Sequence, residues 1–250
     1  MSSELLDVFN AHNGVVCCVG AGGKKTTMFH LAKAHAGRVG ITATAHIEYF
    51  PNTLDATNYI GAEDDILEAI RNDASSKAIA FAKPSERFGR RAGISMELLQ
   101  SIKDENRFEL IVVKADGARG RLVKGPAEHE PVTPAFANTV IPVVSVKVIG
   151  MALTDKIAHR VNQISKITGL NEHDEIKPEH IARLLSSSDG SLKNTGSAKV
   201  IPLINMVDYS EQETSAREAA QLALTMTDRF DCIVLAAMKK DQPIVDVISR

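Results

Sequence analysis

Eight consecutive residues, Gly20-Ala21-Gly22-Gly23-Lys24-Lys25-Thr26-Thr27, combine three glycines, two ammonium groups and two hydroxyls. Glycines allow a sharp turn and close backbone approach to an anion. A helix starting directly after them aims its unpaired N–H groups and positive dipole end at the same point. That chemistry suits a phosphate, and Lys24 and Lys25 compete to hold it. In a shortened G-x-x-G-K loop, Lys24 reaches the terminal phosphates and Lys25 stands where a magnesium-binding hydroxyl belongs. If the loop bulges by one residue, Lys25 takes the phosphates and Thr26 the metal. The intact Gly23-Lys24 step favours the first register. Cys18 stands where the common G-x-x-x-x-G-K-[ST] loop has its first glycine, so the motif argues for phosphate binding more than for hydrolysis. A glycine turn with two solvated lysines is the plainer alternative.

A second group follows in Leu110-Ile111-Val112-Val113-Lys114-Ala115-Asp116-Gly117-Ala118-Arg119-Gly120-Arg121. A carboxylate at the tip of an apolar strand, beside a phosphate loop, is how nucleotide sites hold magnesium, which makes Asp116 the best acid in the chain. Arg119, Arg121 and Lys124 add positive charges suited to phosphate or carboxylate. Glu128-His129-Glu130 offers two carboxylates around an imidazole, open to acid–base work or metal ligation. Thr44 resembles a switch threonine that touches a metal or a terminal phosphate. His46 and the pair His159-Arg160 are weaker candidates. Asn205-Met206-Val207-Asp208 ends a late strand as N-x-x-D, close to the N-K-x-D by which proteins read guanine, with Met206 in place of the lysine.

These residues need a scaffold that brings strand ends together. The apolar, β-branched runs 15–19, 38–42, 78–82, 110–113, 139–148, 199–204 and 232–236 read as strands. Between them 24–36, 62–72, 95–103, 155–168, 178–185 and 211–227 show helical spacing. The alternation predicts an α/β fold, a three-layer αβα sandwich around a mostly parallel sheet. We expect a single domain over 1–250 with a helical insert at about 155–194, and the loop 125–134 above the carboxyl ends of the strands, where open α/β sheets bind ligands.

With 29 basic against 31 acidic side chains, a polyanionic partner such as nucleic acid is not expected. No apolar run reaches the length of a bilayer span and the N-terminus lacks a signal-peptide pattern, so no membrane role and a cytoplasmic location are expected. Cys17, Cys18 and Cys232 do not make a disulfide scaffold. Adjacent strand residues face opposite ways, so Cys17 and Cys18 read as small buried side chains.

Taken together, 19–27, Ala115-Asp116-Gly117-Ala118-Arg119-Gly120-Arg121 and 122–132 resemble the YqeC family, and the likeness extends to His159-Arg160 and Asn205…Asp208. The resemblance implies a fold like that of phosphate-loop NTPases, binding of ATP or GTP, and an accessory role in maturing the labile cofactor of selenium-dependent molybdenum hydroxylases. A client hydroxylase or an anionic cofactor would be the partner. Carried onto this chain, it makes Gly20 to Thr27, Arg119, Arg121, Lys124, Asn205 and Asp208 the ligand-binding set. Lys24, Asp116, Glu128, His129 and Glu130 become the candidate catalytic groups, and Asp116, Thr26 and Thr44 the metal side. The chain departs from the family pattern at Lys25, where a threonine is expected, and at Lys114, where a glutamate usually precedes Ala-Asp-Gly. Both changes put an ammonium on the metal side and point to weak or altered magnesium dependence. A small-molecule kinase or ATP-dependent ligase, and a non-catalytic chaperone for a pterin cofactor, are the alternative functions.

Overall fold

The computed structural model describes residues 2–250. In chain order its strands are β1 (Gly14–Gly20), β2 (Val39–Ala43), β3 (Ile47–Glu48), β4 (Thr57–Ile60), β5 (Ala78–Ala82), β6 (Arg90–Arg91), β7 (Leu110–Lys114), β8 (Val123–Lys124), β9 (Thr139–Ser145), β10 (Ala158–His159), β11 (Lys199–Val200), β12 (Leu203–Asn205), β13 (Cys232–Ala236) and β14 (Ile244–Ser249). The helices are α1 (Ser2–Val8), α2 (Lys24–Ala34), α3 (Glu63–Asn72), α4 (Met96–Asp104), α5 (Val161–Thr168), α6 (Pro178–Ser186) and α7 (Ser210–Met226). A ten-stranded sheet runs β14-β13-β12-β9-β1-β7-β2-β5-β4, with β11 also paired to β9. Its strands are parallel except for β14, which closes one edge antiparallel to β13. Strand β7 is inserted between β1 and β2, and β9 lies on the other side of β1. The direction of chain crossing therefore reverses at β1, the switch point at which such sheets take ligands.

Period-two alternation sorts the central strands between two faces. Val16 and Cys18 of β1 pack with Phe9 beyond α1 and with Met28 and Leu31 of α2. Val15, Cys17 and Val19 face the other way, against Ile66 and Ile70 of α3 and Leu99 and Ile102 of α4. Cys17 and Cys18 are thus buried back to back, as expected from the strand period. Burial pushes both thiols well up, Cys18 to about 12, which leaves them inert at neutral pH. Farther along the second face, α5, α6 and α7 cover β9, β12 and β13, with Ile164, Ile181 and Leu185 meeting the alanine row Ala216, Ala219, Ala220 and Ala223. Each fully buried Val, Ile or Leu in these layers contributes roughly 1.5–3 kcal/mol. The expected three-layer α/β architecture is the one observed.

Local expectations differ in several places. The predicted strand 199–204 is two strands, because Pro202 has no N–H to offer a ladder. Strand 139–148 stops at Ser145, whose hydroxyl accepts from Lys147 N–H and turns the chain into a short 3-10 segment, Val146–Val148. The predicted helix 155–168 is confined to α5. Ala158–His159 pairs in parallel with Val123–Lys124 instead, and Arg160 takes a left-handed φ of 66° at the turn from β10 into α5. The stretch 155–194 is therefore not helical throughout, and its helices belong to the packed second face. Missed altogether were α1, the exposed edge strand β4, and β14, whose apolar run is interrupted by Asp246. Among the described residues no helix is long and apolar enough to cross a membrane.

Candidate functional site

The carboxyl ends of β1, β2 and β7 open into a cavity of about 840 Å³. It is walled by Gly22–Thr26 at the start of α2, Thr44–His46 after β2, and Gly117–Leu122 after β7. His129, Glu130 and Val132 of the long loop, with His159 and Arg160, complete the lining. The loop 125–134 therefore does stand over the strand ends.

At the glycine loop the backbone is held by elements on both sides of β1. Gly20 N–H donates to Asp116 Oδ2 at 2.8 Å, Ala21 N–H to Val143 O at 2.8 Å, and Gly22 N–H to Arg121 O at 3.2 Å. Gly20, Gly22 and Gly23 have φ of 87°, 83° and 136°, where a side chain is strained, and a Cβ on Gly23 would stand 2.0 Å from Asn205 Nδ2. The first intrahelical bond of α2 is Thr27 N–H to Gly23 O. Among the described residues, the N–H groups of Gly23, Lys24, Lys25 and Thr26 have no acceptor. No acidic residue stands in the first turn of this helix, and two lysines add to its positive pole, Lys24 paired with Asp116 and Lys25 with Glu48. Four free N–H groups, the dipole and two ammoniums make a cradle for an anion.

Asp116 is 2% exposed and lies behind the cavity wall. Lys124 Nζ donates to its Oδ2 at 2.8 Å, and Lys24 Nζ lies 2.8 Å from Oδ1. Lys24 also donates to Gly20 O, and its contact with Oδ1 is an ion pair without the alignment of a hydrogen bond. Burial would raise the Asp116 pKa, but the two ammoniums outweigh it and hold the carboxyl below its ordinary range. Lys114, 7% exposed, comes forward from the end of β7 and donates to His46 O at 2.7 Å and Asp116 O at 2.6 Å. Burial and the neighbouring Lys24 push its pKa down to about 7.

The predicted metal side is not gathered around one point. Asp116 already meets two ammoniums, and Thr44 Oγ1 donates to Val132 O at 2.7 Å. Thr26 lines the cavity. Among the described residues no three His, Cys, Asp or Glu stand close enough to hold a metal ion. The residues present do not fit magnesium: the place a cation would take at Asp116 Oδ1 is filled by Lys24.

Of the three candidate acid–base groups, Glu128 is exposed and off the wall, His129 is exposed and on it, and Glu130 is buried. Glu130 Oε2 is 2.7 Å from Lys124 Nζ and 2.5 Å from Arg160 Nη1. Against its burial, these cations draw its pKa down to about 2. It is a structural anion and a weak base. His159 is lowered to about 4, by burial first and then by Arg160, Lys124 and Arg119.

Arg119 and Arg121 line the cavity, whereas Lys124 turns inward to Asp116 and Glu130. The late strand end serves the loop instead of the opening: Asn205 Nδ2 donates to Gly22 O at 2.8 Å and its Oδ1 accepts from Met238 N–H at 3.0 Å. Asp208 pairs with Lys147 at 2.7 Å, and only Met206 of this group reaches the cavity. Sequence reasoning missed Arg87, Arg90 and Glu48. Glu48 binds both Lys25 and Arg90, the latter at 3.1 Å. The basic run Arg87, Arg90, Arg91, soon after an apolar strand, was the available signal. In all, eight lysine and arginine side chains line the cavity against two glutamates.

A family model described as YqeC protein matches residues 16–162. "Uncharacterized protein YqeC" of Escherichia coli (strain K12) is similar, at 28% identity over 183 residues, 72% of this chain and 70% of that protein.

Proposed function

The chain belongs to the YqeC family, and we propose that it is a cytoplasmic nucleotide-binding protein, holding the polyphosphate of ATP or GTP at the glycine loop. The observation that carries this is the cradle of four unpaired N–H groups with Lys24 and Lys25 at the start of α2, opening into a strongly cationic cavity. Arg119, Arg121 and Arg160 stand on other segments of the same wall and suit a second anionic group, an anionic cofactor or substrate. The biological role that fits both ends is the one the family resemblance implies, accessory work on the cofactor of a selenium- or molybdenum-dependent hydroxylase, with hydrolysis of the nucleotide as a further step. Lys24 is the phosphate lysine in this reading: it lines the cavity, and beside its contacts with Gly20 O and Asp116 its ammonium has a third N–H to offer. Asn205 positions the loop, and Met206 is left to pack against a base.

Calorimetric titration of ATP and GTP into the wild type, Lys24→Ala and Lys25→Ala tests the reading. Loss of a charge-assisted hydrogen bond, about 1.5–3 kcal/mol, predicts weakening by roughly 10- to 150-fold in Lys24→Ala. Retained affinity in Lys24→Ala with loss in Lys25→Ala reverses the register, and no binding to the wild type overturns the function. The two-ended cavity also favours a kinase or ligase reading, which predicts a phosphorylated or adenylated product when candidate anionic acceptors are supplied. A pterin chaperone would instead bind a pterin cofactor more tightly than either nucleotide and release no phosphate.

A further inference from the structure

We propose that the cavity binds its polyphosphate without a divalent metal ion, the lysine ammoniums around Asp116 supplying the charge that a cation would bring. The inference rests on the nucleotide reading above and names the form of the ligand it takes, a metal-free polyphosphate. Three observations converge on it. The carboxylate best placed to hold a metal, Asp116, is buried behind the wall and has Lys24 at one oxygen and Lys124 at the other, each at 2.8 Å. Beside it, Lys114 also reaches the cavity; its Nζ donates to two carbonyl oxygens, and the protonated group has a third N–H left. Lys25 occupies the position of a metal-binding hydroxyl and is joined to Arg90 through Glu48.

The charge balance points the same way. Seven lysine and arginine side chains, with Lys114 as an eighth when protonated, stand against two glutamates and outweigh the charge of a nucleoside triphosphate. A magnesium ion would add positive charge to a surplus and cancel two of the charges by which the ligand is held. Lys24 and Lys25 open α2 and Lys114 ends β7, so a phosphate chain laid along the loop meets lysines from two elements. They neutralise it with donors that need no coordination shell.

The test titrates ATP and inorganic triphosphate into the full chain, once in excess chelator and once in excess magnesium. The expected result is binding in chelator, with magnesium leaving the Kd within about three-fold or weakening it. Tightening by magnesium beyond that range overturns the inference while leaving nucleotide binding intact. Absence of binding under both conditions overturns the nucleotide reading and this inference with it. Asp116→Asn gives an opposite-sign check: it frees Lys24 and Lys124, so metal-free affinity rises, whereas loss of a magnesium-dependent component marks Asp116 as a metal ligand and refutes the proposal. If that variant does not fold, the wild-type titration decides alone.

Discussion

A methyl group added at Gly23 should be costly, and its cost should depend on a residue far along the chain. The new Cβ would meet Asn205 Nδ2 at 2.0 Å, well inside contact distance. Asn205 is pinned, with its amide nitrogen on Gly22 O at 2.8 Å and its oxygen on Met238 N–H at 3.0 Å, so it yields only by giving these bonds up. Breaking one such bond and leaving a buried polar group unsatisfied costs about 1–3 kcal/mol. Placing alanine at φ 136° adds roughly 1–3 kcal/mol of backbone strain. Gly23→Ala should therefore lose about 2–6 kcal/mol in urea unfolding at unchanged m-value. In an Asn205→Ala background the clash is gone and only the strain remains, so the same substitution should cost about 1–3 kcal/mol less. Equal cost in the two backgrounds, or a loss below about 1 kcal/mol in the wild type, refutes the claim that Asn205 sets the shape of the loop.

The charged groups give further tests. Glu130 has its pKa drawn down to about 2, so the stability it contributes is complete above its ordinary value of 4.5 and disappears as pH falls toward 2. Wild type should accordingly lose stability more steeply than Glu130→Gln over that interval of acid unfolding, and parallel curves would contradict the buried network. Lys114 titrates at about 7, so above that pH the free protein holds fewer protons there than an ordinary lysine would. Binding a polyphosphate favours its charged form, and at pH 8 calorimetry in buffers of different ionisation enthalpy should register proton uptake that Lys114→Met abolishes. Its own effect on stability has the same pH slope as that of Glu130, in a higher window: the unfolded chain again binds the extra proton, so the penalty of burying this lysine is relieved as pH rises from about 7 to 10.5. Glu48→Gln releases Lys25 and Arg90 from a half-exposed carboxylate and should tighten triphosphate binding by about two- to five-fold, since exposed ion pairs are worth about 0–1 kcal/mol. Unchanged or weaker binding would show that Glu48 orients these cations more than it competes for them.

The sequence made the layered architecture readable because buried parallel strands are continuous apolar runs, and β1, β2, β5, β7, β9 and β13 all have that form. Edge strands such as β4 and β14 touch the core on one side only, so their composition carries little signal. Two-residue pairs such as Val123–Lys124 with Ala158–His159 are decided by the closeness of two distant segments and leave no local trace. At the candidate site, residue types pointed correctly to a glycine turn, a strand-tip acid and a basic wall. Partnership was not legible. Lys24, Lys124 and Asp116 each look available in the sequence, yet in the fold they satisfy one another, and Asn205, read as a base contact, supports the loop. Arg87 and Arg90 were overlooked because the segment bearing them follows a strand distant in sequence from the glycine loop.

The dependence of the glycine loop on remote partners bears on the order in which the chain folds. Gly20 is fastened by a residue 96 positions later and Gly22 by one 183 positions later. Strand β1 also waits for both of its neighbours, β7 and β9, since β2, which precedes them in sequence, is not adjacent to it. During synthesis the first thirty residues therefore leave the ribosome long before the groups that shape them, and closing such separations slows folding relative to local contacts. An emerging chain is thus unable to trap a polyphosphate in this cradle prematurely, and fragments ending before Asn205 should lack the finished loop even where their strands have formed.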